Sequence, residues 1–140
     1  MHKVEHHVGR LIEVKLASPL ELGEVKQFVQ EMTAIIQKIN GKYIGIVDLT
    51  EAHVFPPEVA ELLIQLLSGA ASHVERSAYL IGESATFALQ VERAIRTSSN
   101  PNRHAFRNPD EAATWLGVVL TTMEKIRLEQ FVRGLPARHR

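Results

Sequence analysis

Apolar residues recur along the chain in two periods, and the switches between them mark out its elements. Residues 2 to 8 and 11 to 16 read as two short strands about Gly9-Arg10, the second alternating Leu11, Ile12, Glu13, Val14, Lys15 and Leu16, so a hairpin is predicted. Ser18-Pro19-Leu20-Glu21 then offers a capping hydroxyl, a proline suited to the first helical position and an acid at the third, and a helix is predicted to open there. Val25, Phe28, Val29, Met32, Ile35, Ile36 and Ile39 recur at helical spacing, and Asn40-Gly41 supplies a left-handed stop.

Residues 43 to 49 are almost continuously apolar and β-branched, which suits a central strand covered on both faces. A helix is predicted from about Pro57, with Val59, Leu62, Leu63, Leu66 and Ala70 on one stripe and Gly69 near its end. Ser77 to Ile81 repeats the buried-strand pattern, Gly82 breaks it, and Ser84 caps a helix carrying Phe87, Val91, Ala94 and Ile95. A short strand near His104 to Arg107 leads into Asn108-Pro109-Asp110-Glu111, a further helix start. One long last helix is predicted, with Ala112, Trp115, Leu116, Val119, Met123 and Ile126 on its stripe and Leu120, Leu128 and Phe131 widening it. Trp115 at this spacing reads as a core residue rather than a stacking platform.

Strands alternating with helices make this an α/β chain, expected as a single domain over residues 1 to 132 with a mixed sheet and flanking helices. Residues 133 to 140 are expected to form a basic tail that frays. The length of 140 residues fits one core, and 45% apolar with 23% charged residues is an ordinary globular balance. Sixteen basic and sixteen acidic residues cancel, so no overall field draws the protein to nucleic acid. The absence of cysteine removes thiolate chemistry and Cys-based zinc sites and fits a reducing, cytoplasmic setting. No apolar run is long enough to insert in a membrane.

Candidate chemistry is sparse, and neither a catalytic set nor a cofactor is expected. His2, His6 and His7 share one strand, but their spacing matches no closed metal site. Arg93, Arg96, Arg103, His104 and Arg107 flank a Ser/Asn loop and read as a solvated basic face. Gly82-Glu83-Ser84-Ala85 has a single glycine and no following lysine, too little for a phosphate cradle. Asp48, His53, Glu58 and Glu83 follow strand ends, where α/β sites gather, although no nucleophile accompanies them.

The run Gly45-Ile46-Val47-Asp48-Leu49-Thr50-Glu51-Ala52-His53-Val54-Phe55-Pro56-Pro57-Glu58-Val59-Ala60 resembles the heart of the STAS family, the anti-sigma-factor-antagonist or SpoIIAA-like domains. In that family an apolar strand ending Asp-Leu-Ser is followed by Asp-Ser-Ser-Gly at a helix start. Phe106, Glu111, Ala112, Trp115 and Leu116 resemble the STAS/SEC14-like subgroup. The resemblance implies a SpoIIAA-like fold and a non-enzymatic, regulatory protein-interaction module. Its partner would be a regulatory kinase, a sigma-pathway component or a second copy, met by Asp48, Thr50, His53, Phe55, Pro56, Pro57, Glu58 and Glu61. The family's phosphoacceptor serine is missing, because Pro56-Pro57-Glu58 stands where Asp-Ser-Ser is expected. Glu58 and Glu61 would then hold the helix start permanently negative, as the helix dipole favours. The SEC14-like side of the resemblance implies an alternative, a small-molecule or lipid-binding domain whose apolar helix faces line a pocket.

Overall fold

The computed structural model describes residues 1–135. β1 (His2–Val8) and β2 (Leu11–Leu16) form the predicted hairpin, antiparallel and closed by Gly9 at a φ of +55°. α1 (Leu22–Lys38), β3 (Tyr43–Asp48), α2 (Pro57–Gly69), β4 (Val74–Leu80), α3 (Ala85–Thr97) and β5 (Arg103–Phe106) follow in strict alternation. The five strands lie in sequence order, with β2 to β5 mutually parallel, so the sheet is mixed and β3 sits at its centre. Successive right-handed crossovers in one direction place their helices on one face. α1, α2 and α3 accordingly share a core with Ile12, Val14, Val47 and Tyr79. On the opposite face, α4 (Pro109–Gly117) and α5 (Thr122–Arg133) cover Leu11, Ile44, Ile46, Ala78 and Leu80. The expected single α/β unit is what the chain forms.

Two helix boundaries differ from the sequence reading. α1 opens at Leu22, with Glu21 at the cap and no side-chain cap bond. Ser18 serves a tertiary contact instead, its Oγ accepting from the His53 amide at 3.0 Å. The expected long last helix is two helices. The Thr121 hydroxyl accepts from the Glu124 amide while Glu124 accepts from the Thr121 amide, a capping box that starts α5 afresh. The break lets both segments lie on one sheet face, burying Leu120 and Leu128 and leaving Met123 and Ile126 exposed, the reverse of one continuous stripe. The ordered chain also runs past residue 132: α5 reaches Arg133 and Leu135 is buried against the second core. Residues 136 to 140 of the expected tail lie outside the described residues.

Candidate functional site: a cavity beneath helix α2

The two faces of the sheet are packed differently. α2 is rich in apolar residues, yet Val59 alone along its length is fully buried, while Leu62, Leu63, Ile64, Leu66 and Leu67 are half-buried. Beneath it lies a cavity of about 670 Å³. The space is partly open, with the exposed Pro57, Glu61, Arg93 and Thr97 among its lining, and it is far larger than the water-sized voids of an ordinary packed interior. Its floor is the central sheet, from Tyr43 through Gly45 and Val47 to Leu49, with Ser77 and Tyr79 beside them; Phe28 and Met32 of α1, Leu63 and Ile64 of α2, and Val91 and Ala94 of α3 enclose it. Gly45 helps to make the space, since a Cβ there would stand 2.8 Å from the Ser77 hydroxyl. A groove between α1 and α2 shares Ile36, Leu66 and Ala70 with the cavity, so α2 is loosely seated on that flank too.

The segment singled out from the sequence lies at one end of this cavity and divides in two. Phe55, Pro57 and Glu61 line it; Asp48, Thr50, His53, Pro56 and Glu58 do not. Phe55 is clamped to α3, its amide donating to Gln90 Oε1 at 2.8 Å and its carbonyl accepting from Gln90 Nε2 at 3.0 Å, with its ring edge-on to Phe87. Asp48 is buried and spends one oxygen on Thr50, accepting from its amide at 2.9 Å and its hydroxyl at 2.5 Å, so it finishes β3 and shapes the turn. His53, Pro56 and Glu58 are exposed, and Pro56 occupies the α2 cap position without a side-chain cap bond. No hydrogen bond or ion pair joins any two of Asp48, His53, Glu58 and Glu83.

Arg103 is the residue that sequence reasoning placed wrongly. Among the basic residues around the Ser/Asn loop, Arg93, Arg96, His104 and Arg107 are exposed as expected, but Arg103 is only 3% exposed. It opens β5 directly across from Ser77, on the face that carries the cavity. Its Nη2 donates to the Leu67 carbonyl at 2.8 Å. The phenol of Tyr43 lies within its electrostatic reach; burial, reinforced by Tyr79, pushes that phenol well above its ordinary pKa, so it stays a neutral hydroxyl. An inward-facing arginine six residues past the end of α3 leaves no periodic signal, because β5 is too short to show alternation.

The remaining candidates resolve into structural roles. His2 lies between Glu24 and Glu31, at 2.8 Å from each, and ties β1 to α1. His6 bonds the Gly9 carbonyl, and His7 joins Glu5 and Glu13 in a cluster close enough for a cation. Glu13, however, is buried and already gives both oxygens to Arg127, at 2.7 and 2.8 Å. Trp115 is half-buried, with Arg76 stacked 4.9 Å from its ring centre and His104 and Phe106 against it. Among the described residues no helix is long and apolar enough to cross a membrane. The sequence matches no protein-family model, no curated protein and no solved structure.

Proposed function

We propose that this chain is a non-enzymatic binding domain that holds a small apolar molecule between its sheet and helix α2. The cavity carries the reading. At about 670 Å³ it falls within the range of small-molecule sites, its lining is predominantly apolar, and a few hydroxyls converge on its floor. This is the alternative that the SEC14-like side of the resemblance implies. It accounts for the half-buried leucines of α2, which have too little protein to pack against and would complete their burial on a ligand.

A regulatory role of the STAS kind is compatible with that reading. Val54 is 47% and Leu89 67% exposed, on two segments joined by the Gln90–Phe55 bonds at the cavity's end. A partner protein docking there would meet a surface whose set depends on whether the cavity is filled. The absent phosphoacceptor makes occupancy, rather than phosphorylation, the signal.

The test is direct. N-phenyl-1-naphthylamine, a neutral probe that fluoresces when shielded from water, should bind the wild type with one-to-one stoichiometry. Ala94→Phe, which fills the cavity from α3, should weaken that binding at least tenfold while raising the thermal midpoint. Equal binding by both proteins, or none by the wild type, overturns the proposal.

A further inference from the structure

Four charged side chains are buried in the described residues, Glu13, Asp48, Arg103 and Glu124. Three are satisfied. Arg127 grips Glu13, Thr50 donates to Asp48, and the amides of Arg10 and Thr121 donate to Glu124. Arg103 differs: Nη2 has the Leu67 carbonyl, whereas Nε and Nη1 are sealed from solvent and have no partner among the described residues. No carboxylate of the described residues pairs with it. A guanidinium cannot relieve burial by shedding its proton, and unpaired buried N–H groups are costly. A protein keeps such a group where something else completes it.

The surroundings indicate what completes it. Leu67 lines the cavity, and so do Ser77, directly across the ladder, and Tyr43, whose phenol feels the guanidinium's charge. Arg103 thus stands at the Tyr43 end, with Leu49, Phe55 and Pro57 at the other. The floor of β3 between these ends spans about 20 Å at ordinary strand rise, the reach of a long extended acyl chain. One buried positive charge among neutral hydroxyls matches a single negative charge, the charged lining residues Glu61 and Arg93 both being exposed; a phosphate monoester brings about −1.5 to −2 and would leave charge uncompensated there.

Resting on the cavity's reading as a ligand site, we propose that its ligand is an apolar monocarboxylate, with the acyl chain along β3 beneath α2 and the carboxylate on Arg103. Arg103 stands behind the lining rather than in it, so in this proposal its side chain turns off the Leu67 carbonyl toward the cavity as the acid enters. Ser77 and Tyr43 stand ready as further donors.

The experiment compares hexadecanoate, hexadecan-1-ol and hexadecyl phosphate as competitors of N-phenyl-1-naphthylamine, against the wild type, Arg103→Met and Arg103→Lys. The acid should bind the wild type at least tenfold more tightly than the alcohol or the phosphate. Arg103→Met should erase that advantage without weakening the alcohol, which also shows that the variant is folded; Arg103→Lys should keep part of it. Acid and alcohol competing equally in the wild type, or the phosphate binding best, overturns the carboxylate assignment and leaves the cavity reading standing. Competition by none of the three, with the naphthylamine itself unbound, removes both.

Discussion

At the scale of single residues, the ionic contacts make the sharpest statements. His2 is largely buried; burial pushes its pKa down, but the two carboxylates it bonds outweigh that and raise it above 6.5. A raised folded pKa means that stability is fully present below 6.5 and is lost as pH climbs through the raised value. Urea midpoints measured across that range should therefore fall for the wild type, and the fall should shrink in His2→Gln. Glu13 and Arg127 give a second prediction. Arg127→Met strands a carboxylate that is only 2% exposed and should cost about 3 kcal/mol in denaturant unfolding. Adding Glu13→Leu should recover most of the loss; no recovery would mean that the pair also sets the position of α5.

At the scale of elements, much of the chain was legible because short-range chemistry decides it. The hairpin, β3 and the starts of α3 and α4 follow from alternation and caps, and the caps are made as drawn: Ser84 accepts from the Phe87 amide, and Asn108 accepts from those of Asp110 and Glu111. The α4–α5 break was equally written in Thr121-Thr122-Met123-Glu124, but a strong apolar stripe running through it masked the capping box. Thr121→Ala should cost about 1 kcal/mol and increase amide exchange in the first turn of α5; unchanged exchange would show that packing alone holds the break. The opening of α1 could not be read locally, since Ser18 is taken by an amide thirty-five residues away.

At the scale of the whole molecule, the two faces of the sheet should differ in dynamics. α4 and α5 cover a cluster of buried residues that includes Leu11, Ile44, Ala112 and Leu116, whereas α2 bridges a cavity and a groove. Hydrogen exchange should find α2 less protected than β3 or α5, because local opening is easiest where few apolar contacts are lost. Saturating apolar ligand should raise protection in α2 selectively, since ligand that binds the closed form stabilises it by mass action. Equal protection of all five helices without ligand would argue that the cavity collapses in solution.

The sequence alone determined the α/β alternation, the central placement of β3 and the absence of cysteine chemistry. Each of these rests on residue type and near-neighbour spacing. Only the tertiary structure decided that α2 stands off the sheet, that Gly45 and Ser77 open the floor beneath it, and that Arg103 is buried rather than solvated. Those facts depend on how three helices and four strands share volume, and a cavity is the part of that volume no residue occupies, so no local pattern encodes it.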